Sequence, residues 1–346
     1  MELKTNKTLF FDNCFFDKCN FNCKYCRNTP DPLLEKDQLI SFRQSKSAVD
    51  IINKNIDYVI FKISGYGEIV LMKNFIKLLP KDKVVQVITN GSLLNKKIID
   101  ELATVPKIHI CISMDGHTTS MNCQRINNPR IQERIIENIK YLIKKGISIE
   151  INSVLTSDNT GNFHKFLSFL QNLNGKILCY PFPVRRFGEK SNDEIKSTKK
   201  DISEFYKQVV KNYDKYSNVL PPKKYLSRLI SFYKNSKRSW PCYVPIFNLG
   251  VIPNGKIVDC PCGANTCKYS ITSKNLKSEF CNQNKIISTP QNLISKNCEN
   301  CFTHYEIINL YIQGEISKEL QKIELFKDKL VTKRLEQIKK YINKNT

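Results

Sequence analysis

The stretch DYVIFKISGYGEI, residues 57 to 69, sets an apolar, β-branched run against a turn built from glycines and a glutamate. A strand buried on both faces of a parallel sheet reads this way, as a short continuous apolar run closed by turn residues. Working outward, VVQVIT (84–89), IHICIS (108–113), SIEINSVL (148–155) and KILCYPF (176–182) have the same character, and KTLFFDN (7–13) supplies an earlier strand. Between them, EIVLMKNFIKLL (68–79), SLLNKKIIDELAT (92–104), PRIQERIIENIKYLIKKG (129–146) and NFHKFLSFLQNL (162–173) carry apolar residues at helical spacing. Six β/α units in succession predict an α/β fold, a partial (β/α)6 TIM-like barrel over residues 5–185.

Beyond the barrel the text changes. Residues 186–239 are polar and helical with a break at Pro221 and Pro222, as a connector would be, and residues 240–310 are rich in cysteine. Within the latter, FNLGVIPNGKIVDC (247–260) places Pro-Asn-Gly between two apolar runs and predicts a β-hairpin turning at Asn254 and Gly255. Residues 311–346 end in KDKLVTKRLEQIKKYINKNT (327–346), an amphipathic basic helix with a solvated face. The expected architecture is therefore the barrel, a small cysteine-rich domain and a C-terminal helix.

Composition narrows the function. A chain of 346 residues buries an adequate core without disulfides, so its 14 cysteines are free for other work. The N-terminal text is broken by charges before an apolar region forms, and no run of eighteen apolar residues follows. A reducing cytoplasmic setting is expected, where clustered cysteines are metal ligands or redox groups. The formal charge of +23 suits a nucleic-acid partner, but the lysines are scattered among Asn and Ile rather than gathered in a patch, so nucleic acid is not the expected partner.

CNFNCKYCR (19–27) places Cys19, Cys23 and Cys26 in a C-x3-C-x2-C spacing. Three thiolates around one centre leave its fourth position without a protein ligand, as a metal that binds substrate requires. A structural zinc site would close with a fourth Cys or His nearby, and neither Cys14 nor His109 is well placed to do so.

With SGYGEI (64–69), TNG (89–91) and SMDG (113–116) following successive strands in order, the sequence resembles the radical S-adenosylmethionine superfamily from about residue 8 to 185. The resemblance implies that Cys19, Cys23 and Cys26 bind a 4Fe-4S cluster whose open iron chelates S-adenosylmethionine (AdoMet). It also implies that Tyr25 lies beside the adenine and that Gly65, Gly67 and Glu68 receive the ammonium group, although Ile69 stands where the family carries proline. Ser113 and Asp115 would face AdoMet or substrate, Arg125 would meet the AdoMet carboxylate, and Asn152 would reach the ribose. Arg27 would position the loop or face the cluster.

The later cysteines extend the resemblance to the SPASM and twitch branch. Cys242, Gly255 and Cys260 follow its C-x12-G-x4-C pattern, and CENC (298–301) adds Cys298 and Cys301, giving four ligands for one auxiliary 4Fe-4S cluster. Taken alone, these two pairs suit a zinc ribbon equally well. Cys262, Cys267 and Cys281 have no assigned role, and neither do Cys14 and Cys123.

The activity implied is reductive AdoMet cleavage, hydrogen abstraction from a C–H bond and a net oxidation, with an external electron donor such as flavodoxin or ferredoxin. In LCYPFPVRRFGE (178–189), Arg185 and Arg186 suggest an anionic substrate group and Cys179 a hydrogen-atom donor, or else a core cysteine. Because the cluster loop begins at residue 19, with no leader-binding domain before it, the expected substrate is a small molecule such as a sugar or cyclitol conjugate. A peptide is the alternative, through cross-linking, epimerisation or sulfatase-type oxidation. The reading from another class is a zinc-stabilised basic nucleic-acid-binding protein, which leaves the ordered glycine and Asp-Gly turns unexplained.

Overall fold

The computed structural model describes residues 8–26, 40–184, 199–235, 238–258, 260, 266–270 and 301–345. Arg27, Arg185, Arg186, Cys262, Cys281 and Cys298 lie outside this set.

Six strands alternate with helical segments. They are β1 (Phe10–Phe16), β2 (Ile60–Gly65), β3 (Val84–Thr89), β4 (Ile108–Ser113), β5 (Ser148–Leu155) and β6 (Ile177–Pro183). Every neighbouring pair is parallel and the order is sequential, so the chain forms the partial barrel that the apolar runs predict. The helices begin where capping residues satisfy their first amides. Ser41 and Gln44 form a capping box at α1 (Phe42–Asn55), and Asn95 caps α2 (Lys96–Leu102). Asn128 followed by Pro129 opens α3 (Pro129–Lys144), and α4 is Phe163–Asn172.

One expected helix is absent. Residues 68–79 form two short 3-10 turns, Ile69–Leu71 and Phe75–Leu78, separated at Asn74, which takes a left-handed conformation. The Glu68 side chain caps the first turn and is anchored to the end of β3, so the chain is held against the sheet before an α-helix can develop.

The sheet continues past β1. β7 (Asn248–Val251), from the cysteine-rich segment, pairs parallel with β1 from Phe10↔Asn248 to Asn13↔Val251. β8 (Lys256–Val258) returns antiparallel to it, and β9 (Thr266–Ser270), which carries Cys267, adds the ninth strand. The predicted hairpin is present, with Gly255 at φ +78°, a left-handed conformation that favours glycine.

The open side of the barrel, between β1 and β6, is covered by later segments. Helix α5 (Lys199–Lys211), a single turn α6 (Tyr213–Tyr216) and helix α7 (Lys223–Asn235) flank the Pro221–Pro222 break and pack beside β6, whose Cys179 amide donates to the Val219 carbonyl at 2.7 Å. After the short turn α8 (Val244–Phe247), helix α9 (Glu306–Ile312) follows the segment that carries His304 and Tyr305 across the gap. The His304 ring meets Phe182 of β6, and the Tyr305 ring meets Phe10 of β1 with centroids 4.8 Å apart. The C-terminal helix α10 (Lys329–Asn345) buries Val331, Leu335, Ile338 and Ile342.

Candidate active site at the C-terminal mouth of the barrel

The cysteine loop leaves β1 and is tied to its neighbours at several points. The Glu68 amide donates to the Lys18 carbonyl at 2.7 Å, and the Lys24 amide donates to the Gln124 carbonyl at 2.9 Å. Asn20 donates to the Ser92 hydroxyl and accepts from the Asn90 side chain. Gly67 passes so close to the backbone at Asp17 and Lys18 that a β-carbon would collide with it, which explains glycine at this turn by approach rather than by backbone angle. The Glu68 carboxylate is buried and accepts from the Thr89 hydroxyl (2.6 Å), the Asn90 amide (2.6 Å) and the Val70 amide (3.1 Å). SGYGEI and TNG are therefore joined through Glu68, with Gly65 ending β2 in register with Phe16.

Within this loop Cys19 and Cys26 are exposed and Cys23 is half-buried, and the Cys26 amide closes a turn on the Cys23 carbonyl at 2.9 Å. Burial raises the Cys19 thiol, and it pushes Cys23 up to about 11 against the opposing pull of Arg125. Cys26 adds to the rise at both, so the three thiols lie near enough to feel one another's charge. Such a set is unfavourable as bare thiolates and is relieved by a cationic centre.

SMDG supplies the other half. Asp115 is buried; its Oδ1 accepts from Arg125 at 2.9 Å and from the Val154 amide at 2.8 Å, and its Oδ2 accepts from the Tyr25 hydroxyl. Arg125 stands 5.4 Å over the Tyr25 ring, and its buried Nε has no hydrogen-bond partner among the described residues. A buried guanidinium with a spare donor suits a carboxylate, so this orphan N–H fits the amino-acid end of AdoMet. Burial raises the Tyr25 phenol, and the ion pair with Asp115 holds Arg125 fully charged. Ser113 and Asn152 face each other across the β4–β5 register at the same rim.

Of the remaining candidates, Cys179 is fully buried in β6, in register with Ile151 and on the opposite strand face from Tyr180. Cys242 accepts from the Asn309 side chain at 3.8 Å, Cys260 is buried at the end of the hairpin, and the Cys301 carbonyl takes two hydrogen bonds from Arg238 at 3.1 and 2.8 Å. Among the described residues no three His, Cys, Asp or Glu side chains converge tightly enough to hold a single metal ion.

One group escaped the sequence reading. Asp12, Lys62, Gln86 and Glu150 occupy the third position of β1, β2, β3 and β5. Lys62 donates to His304 at 2.6 Å and to Tyr305 at 3.1 Å, and Tyr305 donates to both oxygens of Asp12 at 2.9 and 2.7 Å. Gln86 reaches over β4 to donate to Glu150 at 2.8 Å, as a curved sheet permits. The signal was available: Lys62 and Glu150 are single charges inside otherwise apolar strands.

Comparison with known proteins bears on the family and the fold. Residues 13–170 match the Radical SAM superfamily. The subtilosin biosynthesis protein AlbA of Bacillus subtilis is 25% identical over 216 residues, 59% of this chain and 46% of AlbA. The GTP 3′,8-cyclase of Aliarcobacter butzleri is 29% identical over 146 residues, 40% of this chain and 44% of that enzyme. The chain thus spans less than half the length of these curated relatives. Among solved structures, Streptococcus suis SuiB bound to precursor peptide SuiA superposes with a TM-score of 0.61 at 17% identity, covering 79% of this chain and 64% of SuiB. Native anSMEcpe with bound AdoMet and the Cp18Cys peptide superposes with a TM-score of 0.56 at 16% identity, covering 97% of this chain and 99% of that one. At these identities the superpositions establish a common fold. No helix among the described residues is long and apolar enough to cross a membrane. The match to the Radical SAM superfamily thus covers residues 13–170, which hold most of the partial barrel, and the fold is shared with SuiB.

Proposed function

We propose that this chain is a radical AdoMet enzyme that oxidatively modifies a peptide, with Cys19, Cys23 and Cys26 holding the 4Fe-4S cluster. The observation that carries this reading is the pinning of the three-cysteine loop to the rim that presents Tyr25, Asp115 and Arg125. When bound and reduced, the cluster with AdoMet supplies a 5′-deoxyadenosyl radical able to remove hydrogen from a C–H bond. The chain's own part is to bind, orient and exclude water. Arg125 offers its spare N–H to the AdoMet carboxylate, Asp115 fixes both Arg125 and Tyr25, and Gly65, Gly67 and Glu68 shape the turn that receives the ammonium group. Ser113 and Asn152 line the rim toward the ribose and substrate.

A peptide fits better than the sugar or cyclitol expected from the sequence. One structure that superposes on this chain, anSMEcpe, matched along 99% of its own length, holds a peptide. AlbA is named for biosynthesis of the bacteriocin subtilosin, and SuiB is seen bound to the precursor peptide SuiA. We assign Cys242, Cys260 and Cys301, with Cys298, to an auxiliary cluster that takes the electron released by oxidation. Flavodoxin or ferredoxin is the expected donor to the first cluster. The test is anaerobic: reconstitute with iron and sulfide, count iron and assay 5′-deoxyadenosine after adding AdoMet and reductant. About eight irons per chain are expected for two clusters. Replacing Cys19, Cys23 and Cys26 together should abolish cleavage and halve the iron. Zinc without deoxyadenosine overturns the reading.

A further inference from the structure

The lumen of the barrel contains one ammonium and two carboxyls, and they are not equally committed. Lys62 is enclosed by His304 and Tyr305, with Asp12 4.0 Å away. The Lys62 ammonium is hydrogen-bonded to Nε2 of His304. Asp12 receives Tyr305 on both oxygens and balances the Lys62 charge. Lys62, His304, Tyr305 and Asp12 are thus bonded to one another as a set.

Glu150 is different. Gln86 is its one hydrogen-bond partner among the described residues and occupies a single oxygen, Oε2. The residue is only partly buried although it sits inside the barrel, one strand step below Asn152 and in register with Cys111 and Leu178. Burial pushes its carboxyl up to about 7, and Lys62 and Gln86 oppose that rise without cancelling it. With Asp12 matched to Lys62, an ionised Glu150 leaves the lumen one negative charge in excess.

We propose that Glu150 is a specificity-determining residue that receives a cationic side chain, the ammonium of a lysine, from the peptide entering the barrel. The assignment rests on the peptide reading of the site. A lysine suits the position because Glu150 lies on the same strand face as Asn152 and two residues further from the Ser113–Asn152 rim, so a long apolar stem is needed to bring a charged head to the carboxylate. The ammonium supplies the missing counter-charge, and the vacant oxygen of Glu150 takes its hydrogen bond. Anionic side chains are repelled, and neutral ones leave the carboxyl unpaired.

The test reads binding, independently of AdoMet cleavage. The full chain is titrated calorimetrically with a pentapeptide carrying one central lysine between glycines, and with its counterpart carrying norleucine. A charge-assisted hydrogen bond in this setting predicts about tenfold or greater preference for the lysine peptide. Glu150→Gln, which keeps the side-chain shape, should abolish the preference. Glu150→Asp keeps the charge and should retain it, separating loss of charge from misfolding. Equal affinity for the two peptides, binding of neither, or a preference that survives in Glu150→Gln overturns the proposal. Loss of the radical AdoMet reading would appear elsewhere, as absent deoxyadenosine with the binding preference intact.

Discussion

The amide of Glu68 donates to the carbonyl of Lys18 at 2.7 Å, joining the glycine turn after β2 to the residue that precedes the first cysteine. This bond forms because Gly67 has no side chain to hold the two backbones apart. Gly67→Ala should therefore push the cysteine loop off the rim, at a cost of about 1–3 kcal/mol, while the buried strands stay folded. The check is circular dichroism against iron content after reconstitution. Unchanged secondary structure with iron retention reduced several-fold is expected, and wild-type retention would show that this contact does not set the loop.

Asp115 is the common acceptor for Tyr25, Arg125 and the Val154 amide. Removing it strands a buried guanidinium, so Asp115→Ala should lose about 3–5 kcal/mol in denaturant unfolding. Asp115→Asn keeps an oxygen acceptor and should lose less. A double substitution with Arg125→Leu should cost less than the two single effects summed, since neither charge is then left alone. Additive losses would mean that the pair is not coupled.

Glu306 plays the same part beside Cys242 and Cys301. It is fully buried between Arg228 and Arg238, with Arg238 3.1 Å away, and Arg238 in turn holds the Cys301 carbonyl. Burial raises the Glu306 carboxyl, and the two arginines oppose that rise. Glu306→Ala should cost about 3–5 kcal/mol and speed proteolysis around residues 238–242 and 301–305. Limited proteolysis with mass mapping gives the answer, and a wild-type digestion pattern would dissociate Glu306 from the cysteine segment.

The strands at 84–89, 108–113 and 148–155 were legible to the residue because parallel strands buried on both faces leave no room for ambiguous text. The site residues Tyr25, Asp115 and Arg125 were legible through motif order, but their mutual bonding was not, since ninety residues separate Tyr25 from Asp115. The helix expected at 68–79 failed because a tertiary bond, Glu68 to the end of β3, outweighed local periodicity. The pairing of β7 with β1 was invisible for a related reason: four residues of strand carry no signal of their partner 238 positions away at Phe10↔Asn248. Lys62 and Glu150 were visible as lone charges but had no meaning until the sheet curved and brought them together.

His109 gives a prediction for pH. It stands in β4, its Nδ1 hydrogen-bonded to the Ser148 hydroxyl, and burial lowers its pKa from the ordinary 6.5 to about 4, with Glu324 and Asp328 opposing and Lys176 assisting. Below pH 6.5 the unfolded chain binds a proton at this position that the folded chain refuses. Stability from this group is therefore complete above about pH 6.5 and is lost as pH falls toward 4, where the folded imidazole also charges. The full difference is on the order of 3 kcal/mol. His109→Gln keeps a hydrogen-bonding side chain without the titration. Urea unfolding of both proteins at pH 7 and pH 4.5 should show the variant gaining on the wild type at the lower pH. Parallel stability curves for the two across this window would mean that His109 titrates alike in the folded and unfolded states.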